Sequence, residues 1–501
     1  MSDSPIQHII VLMLENRSFD HLLGFSNITG ADAKTGRATR AQGVPTPPPV
    51  NVFSDHGETH PYAAAAGNAP FQLSTDPGHE FQNTLTCLCG VDAWRQNTDA
   101  HGRLTGAAYP VPAAGQANSG FVANYAAGGA NAPGLAMQSL TPEQLPVLNA
   151  LAKAFVLCDG WFSSLPGPTW PNRYFAHAAS SAGLDDSPSD GQIADYYVAG
   201  FALPNGTLFD RLDHHGLDWK IIEGDSFPQA FSLRGMTHAA LNGHFRDLDD
   251  FGELINADDF NAAYLFIEPR YDVHNHYLNG NSMHPLNDAR AGEALVKTVY
   301  ETLRASRIWT NSMLLVLFDE HGGFFDHVFP PAATPPGDTQ PGSEHNAHNF
   351  AFDRLGLRVP CIVASPWVGE NLIDHRQYDH SSIVKTVCEL FELGGPLTHR
   401  DRDANSLAPL IQSASRQNAP QTLPAPAAGP VGAAATLSGG APPPSLRGFA
   451  QIALARQLSV APPEQQQAIK DSFNAIQGDP DKAKAFLQAA HDAISAWKAR
   501  N

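Results

Sequence analysis

Two stretches of this chain are too continuously apolar to be half-wet strands. Ile9 to Leu14, in HIIVLMLEN, and Met313 to Phe318, in MLLVLFDE, lack polar alternation, so both suit the interior of a parallel sheet covered by helices on each face. Each ends abruptly in polar residues, Glu15 and Asn16 in the first and Asp319 and Glu320 in the second. In open α/β sheets ligands lie beyond the carboxyl ends of the strands, which predicts that the two tips share one crevice.

Further strands are predicted in AFVLCDGWF, with Asp159 just past its end, in LDWKIIEG ending at Glu223, in AAYLFIEP ending at Glu268, and in VPCIVASPW. Between them lie helical patterns. Thr141 to Phe155 offers Thr141 as cap, Pro142 at the first position and a stripe of Leu145, Leu148, Leu151 and Ala152. Asp288 to Ser306 and Ser381 to Phe391 carry apolar faces at helical spacing. The alternation predicts an α/β class with a mostly parallel sheet and helices on both faces.

The segment 30–134, rich in Gly, Pro and Ala, is too long for a bare loop and reads as an irregular excursion with short helices beside the site. A catalytic domain is expected over 1–413, an Ala/Pro/Gly-rich linker over 414–444 and a helical C-terminal segment over 445–501. In that last segment Asp479 is the expected cap, Pro480 opens the helix, and Phe486, Leu487, Ala490, Ile494 and Trp497 share one face. Packing on its own domain is the first reading of that face, and a partner or peripheral membrane contact the second.

Charge narrows the partners. With 31 Lys and Arg against 50 Asp and Glu, the net charge of −19 opposes nucleic-acid binding and weakens adsorption to anionic lipid. Five cysteines in 501 residues imply no disulfide framework. No apolar run approaches the ~20 residues of a membrane span, and the opening MSDSPIQHII has no charged leader before a long apolar region. A cytoplasmic location is the default expectation, and leaderless export would leave the same sequence. Oligomeric state is not legible.

The chemistry begins with repulsion. Carboxylates gathered in one crevice need a cation or a shared proton, and carboxylates with a carboxamide oxygen form a hard-oxygen set suited to magnesium, calcium or manganese, with zinc also open. Glu15 and Asn16 are neighbours, so both reach one centre only if the chain leaves the pleat there. In LPGPTWPNRYF, prolines fix the backbone about Thr169 and PNR opens a helix, whose N-terminus is a natural phosphate seat. A threonine hydroxyl is a weak nucleophile unless activated, for example by a metal. His79, His284, His321, His327 and His380 lie near strand ends and titrate in the range that protonating a leaving oxygen requires. Gly322 and Gly323 after DEH permit a sharp turn or close approach.

Taken together, ENRSFDHLLG, DPGHEF, PTWPNR, the HP step at His284, DEHGGFFDHV, RLGLRVPCIVASPW and DHSSIVKTV, spread over about residues 6 to 395, resemble the family of bacterial phospholipases C, acid phosphatases and plant non-specific phospholipases C. The resemblance implies an alkaline-phosphatase-like core that hydrolyses phosphate esters. It implies Thr169 as the nucleophile, Glu15, Asn16, Asp319 and Glu320 around a divalent metal that also touches Thr169, His284 as acid/base or phosphate contact, and His79, His321 and His380 as further catalytic candidates. Threonine at the nucleophile tilts the substrate toward a phospholipid. A phosphomonoesterase and a non-catalytic lipid- or partner-binding module are the alternatives. Ser282 and Met283 stand where the family often has paired aspartates, so His284 is expected to be held in another way.

Overall fold

The computed structural model describes residues 4–428, apart from 56, 190–191, 194–195, 197–199, 226–227 and 276, and positions scattered from 453 to 493, of which 461–476 is the longest run. Its centre is a ten-stranded sheet. In chain order the strands are β1 (His8–Leu14), β2 (Thr29–Asp32), β3 (Ala38–Arg40), β4 (Val156–Cys158), β5 (Trp219–Glu223), β6 (Phe245–Asp247), β7 (Tyr264–Glu268), β8 (Ser312–Phe318), β9 (Cys361–Ala364) and β10 (Leu372–Asp374). Their spatial order is β6-β5-β7-β1-β8-β9-β4-β10-β2-β3.

The two apolar runs are central neighbours. β1 pairs with β8 in parallel from His8 opposite Ser312 to Leu14 opposite Phe318, so the strands end level and their acidic tips emerge side by side. Every residue of both strands is buried, which explains why neither shows alternation. A fully buried Leu, Ile or Phe here contributes roughly 1.5–3 kcal/mol.

The sheet is mixed. β9 runs antiparallel to both β8 and β4, and β2 to β3, whereas the other neighbours are parallel. The α/β class expected from sequence is met. The direction of β9 was not legible, because a short strand buried on both faces reads alike either way.

Six helices matter for the site: α1 (Phe81–Cys89), α2 (Phe121–Ala127), α3 (Pro146–Ala154), α4 (Thr169–Ala178), α5 (Ala289–Ala305) and α6 (Ser381–Leu390). α3 packs with α5 and α4 with α6. α3 starts later than predicted, at Pro146 rather than Pro142. Thr141 instead forms a reciprocal turn with Gln144, and Glu293 of α5 accepts from the N–H groups of Val147 and Leu148. A tertiary carboxylate thus takes the donors that a local cap would have taken.

The excursion holds more order than expected. Besides α1 and α2 it contributes β2 and β3 to the sheet edge and a hairpin of Val50–Asp55 with Glu58–Ala63. Phe81, Leu85, Leu88, Phe121 and Tyr125 build a second core with Phe324, Phe325 and Phe350 from the loops after β8. That core presses the DPGHEF segment against the site.

The first residues of the expected linker lie on the domain: Tyr300 donates to the Pro420 carbonyl at 2.6 Å, and Leu423 N–H to Glu301 at 2.7 Å. Residues 429–444, and Asp479, Pro480, Leu487, Ile494 and Trp497 of the expected tail helix, lie outside the described residues. Phe486 and Ala490 are buried, and the Phe486 ring lies 5.7 Å from that of Phe473. Among the described residues no helix is long and apolar enough to cross a membrane.

Candidate active site

At the end of β1 the chain leaves the pleat. Asn16 has φ of 47°, a left-handed conformation that asparagine tolerates better than most residues. This departure lets Glu15 and Asn16 serve one centre. Ser18 then caps a single helical turn, and the Asn16 main-chain N–H donates to Asp319 Oδ1 at 3.0 Å.

At the end of β8, Glu320 N–H donates to Asp319 Oδ1 at 2.7 Å, and Gly322 N–H to Glu320 Oε2 at 2.8 Å. Gly322 has φ of 62°, and a Cβ there would lie 2.1 Å from the Asn16 carbonyl oxygen. The glycine step thus serves the close approach of the two strand-end loops.

Thr169 is the first residue of α4, after Pro168 in an extended conformation. Its hydroxyl accepts from Asn16 Nδ2 at 2.9 Å, while the same amide nitrogen lies 3.4 Å from Asp319 Oδ1 and bonds Glu320 Oε1. One carboxamide therefore joins the threonine to both acids. Asn172 accepts from Ser164 N–H and donates to the Gly167 and Pro168 carbonyls, fixing the Pro-rich turn that presents Thr169.

Arg173, one helical turn past Thr169, was not singled out from the sequence. It is fully buried, and its Nε donates to Asp319 Oδ2 at 3.0 Å. Its position in PNR, four residues after Thr169, was the available signal. Burial opposes its charge, but the carboxylates of Asp319 and Glu15 outweigh it and favour the charged form.

The acids are electrostatically crowded. Burial, then the charge of Asp319, pushes Glu15 up to about 8, and burial pushes Asp319 up to about 6 against the pull of Arg173. For Glu320 burial pushes up, but His79, His321 and the Gly322 N–H together hold it below its ordinary value. Glu15 Oε2 and Asn16 Oδ1 are buried without a hydrogen-bond partner. Turned end for end, the Asn16 carboxamide would present that oxygen to the same centre. Hard oxygen donors, crowded negative charge and orphaned oxygens fit a divalent cation.

The histidines divide by their partners. His79 donates from Nδ1 to the Pro77 carbonyl at 2.8 Å and faces Glu320 with Nε2 at 3.9 Å. Burial opposes its charge, but Glu320, Asp76 and Glu80 outweigh it and raise the imidazole to about 10. His284 accepts at Nδ1 from Leu286 N–H, so its Nε2 carries the proton and faces Asp76 at 3.5 Å. Burial keeps this ring neutral.

His284 is held in another way than by acids next in sequence. Tyr277 stacks on it, 3.6 Å between centroids and 3° from parallel, and Arg17 donates to the carbonyls of Met283 and His284. Tyr277 and Met283 both have positive φ. No local signal marked Tyr277 or Arg17.

His321 uses Nδ1 on Glu320 Oε2 at 3.1 Å, and its buried Nε2 has no partner. His380 is turned away, with Nδ1 on the Trp161 indole and Nε2 on the Asp319 carbonyl, and burial lowers it to about 4. The structure thus brings Glu15, Asn16, Thr169, Asp319, Glu320, His79, His284 and His321 to one crevice, and leaves His380 behind it.

A second cluster lies on the same loops. Asp20, Asp326 and His327 have ligand-type atoms within 4.8 Å of one another. Arg358 spans the two carboxylates at 3.0 and 2.9 Å, so this group already holds its counter-charge.

Residues 6–394 match the family model described as the Phosphoesterase family. Over 447 residues the chain is 34% identical to non-specific phospholipase C3 of Arabidopsis thaliana, covering 84% of this chain and 77% of that protein. It is 29% identical to phospholipase C B of Mycobacterium tuberculosis, over 80% of this chain and 76% of that protein. A solved structure of a protein in the alkaline phosphatase superfamily from Vibrio parahaemolyticus gives a TM-score of 0.31 at 14% identity, over 49% of this chain and 60% of that one. So slight a likeness leaves the fold class resting on the sheet itself.

Proposed function

The chain belongs to the Phosphoesterase family, hydrolases acting on phosphoester bonds, and from that premise we propose that it is a phospholipase C-type enzyme cleaving the phosphodiester of glycerophospholipids such as phosphatidylcholine. The observation that carries this reading is the Thr169 hydroxyl at a helix N-terminus, 2.9 Å from Asn16 and linked through that amide to Asp319 and Glu320.

Glu15, Asn16, Asp319 and Glu320, with Thr169, are the residues that would hold a divalent cation. Bound there, it supplies positive charge to the phosphoryl oxygens and favours the alkoxide form of threonine. Thr169 Oγ, its proton released to solvent, attacks phosphorus in line as the bond to the diacylglycerol oxygen breaks, giving a phospho-threonine. The α4 N-terminus favours the accumulating negative charge. His79, kept protonated by its acidic neighbours, gives its Nε2 proton to the leaving oxygen. His284 offers Nε2–H as a neutral donor to the phosphoryl group. Water, giving a proton back to His79 Nε2, then attacks phosphorus as the bond to Thr169 Oγ breaks, which releases the phosphorylated headgroup and leaves Thr169 to regain its proton from solvent.

Arg173 holds Asp319 ionised and turned toward Asn16. The test is Thr169→Ala assayed on phosphatidylcholine, with acid trapping of labelled phosphate on the unmutated protein. Loss of turnover together with label on Thr169 supports the reading, and normal turnover by the variant overturns it. Rates on an aryl phosphate beside those on the lipid separate diester from monoester preference. The expected domain division remains our proposal, and activity in a chain ending after residue 423 would free the tail from any catalytic duty.

A further inference from the structure

We infer that His380, of the DHSS segment, is a positioning residue: locked in one tautomer by Trp161, its imidazole fixes the Asp319–Glu320 peptide so that both acids face the metal position. The inference rests on the reading of those acids as ligands.

An indole N–H can only donate. Trp161 Nε1 lies 3.2 Å from His380 Nδ1, so Nδ1 is the acceptor and the ring proton sits on Nε2. That Nε2–H donates to the Asp319 carbonyl oxygen at 2.6 Å. Both ring nitrogens are thereby used and the residue is wholly buried, which leaves nothing to offer a substrate.

The bonded carbonyl belongs to the peptide unit whose N–H, that of Glu320, donates back to Asp319 Oδ1 at 2.7 Å. Both polar atoms of this one peptide plane are therefore fixed, its carbonyl by His380 and its N–H by the Asp319 side chain. Arg173 on Oδ2 fixes the far end of the same residue. Without His380 the plane could turn, and the directions of both acid side chains would turn with it.

His380 is itself braced. Its main-chain N–H donates to Ser164 Oγ at 3.1 Å, and Arg400 ties the preceding Asp379 to the Ser164 carbonyl at 2.9 and 2.7 Å. Trp161 stacks on Tyr378, whose hydroxyl donates to Asp374 at 2.7 Å. The bracket joins β4, α6 and the DE tip without touching the reaction space. Partners that orient a ligand in this manner typically carry about 10- to 100-fold in metal affinity.

The experiment uses full-length metal-free protein and Mn2+ alone, measured by calorimetry. His380→Leu should bind Mn2+ about 10- to 100-fold more weakly. His380→Gln, whose Nε2 still reaches the Asp319 carbonyl, should recover most of that affinity. In unmutated protein labelled with nitrogen-15 at histidine, the signal lost in His380→Gln should show a bare Nδ1 and a protonated Nε2. Protonation at Nδ1, or tight Mn2+ binding by His380→Leu, overturns the inference. If the leucine variant folds poorly, the nitrogen spectrum and the glutamine variant still decide. Asp319→Asn separates the two levels. Unchanged Mn2+ binding by that variant, or none by the unmutated protein, sinks the metal reading itself, whereas loss in Asp319→Asn with none in His380→Leu sinks only the role of His380.

Discussion

The loops that follow β1 and β8 build two acidic clusters a few residues apart, and the two differ in one respect. Asp20 and Asp326 share Arg358, and His327 donates to Asp20 at 2.7 Å, so the second cluster is complete as it stands. Glu15, Asn16, Asp319 and Glu320 have Arg173 on Asp319 and His79 facing Glu320, and still retain orphaned oxygens on Glu15 and Asn16. By proximity of ligand atoms alone the complete cluster looks the better metal site. Unfilled valence points to the other. A buried ion pair satisfied within the chain is a fastening, whereas buried oxygens that repel each other and lack partners are kept for something that arrives later.

The sharpest test is at the incomplete cluster. Thr169→Ala should lower turnover by about 10^4-fold or more, as loss of a covalent nucleophile does. Its melting temperature should hardly move, since the residue is only partly buried and its described hydrogen bond is one from Asn16. Full activity in this variant would show that the orphaned oxygens have another purpose.

The complete cluster should respond in the opposite manner. Arg358→Met leaves two buried carboxylates facing each other and should cost roughly 3–5 kcal/mol of stability by denaturant titration. In the folded fraction Mn2+ affinity should persist. A variant that stays stable but loses Mn2+ would mean that the two clusters have been assigned the wrong way round.

Much of this contrast was legible before folding, and the reason is chemical. Two apolar runs of equal length ending in acids announced level strand tips, and adjacent Glu15 and Asn16 required the break in the pleat that Asn16 makes with its positive φ. The rest depended on partners distant in sequence. Arg358 lies 338 residues from Asp20, and Trp161 lies 219 from His380, so nothing local distinguished a saturated acid from a hungry one or a braced histidine from a catalytic one. The start of α3 was misplaced for the same reason, because its N-terminal donors go to Glu293.

Cation linkage gives a smaller effect. At about one hundred times its dissociation constant, a cation bound only by the folded state stabilises by about 2.7 kcal/mol. Thermal shift with Mn2+ should therefore be positive for the unmutated protein and for Asp20→Asn, and absent for Asp319→Asn. A shift that vanishes in Asp20→Asn instead would place the ion at the other cluster.

His177 sets the limit of the criterion. It lies on α4, two turns past Thr169, wholly buried, with neither ring nitrogen hydrogen-bonded and Phe209 and Phe266 against its ring. It too has unfilled valence, but the charge that acts on its ring is that of Arg173, a cation already held by Asp319, so the expected consequence is a cost in stability and no chemistry. Burial, with Arg173 nearby, lowers it to about 3, so the folded state stays neutral where the unfolded chain takes up a proton. Stability is therefore lost as pH falls from about 6.5 toward 3, at up to about 1.4 kcal/mol per pH unit, or about 2 kcal/mol by pH 5. His177→Leu should flatten that limb in denaturant titrations at pH 7 and pH 5 while turnover at pH 7 stays within about twofold. An unchanged acid limb would show that the ring finds a proton acceptor in the fold, and a large loss of turnover would make His177 part of the site and leave orphaned atoms alone as a sufficient mark of chemistry.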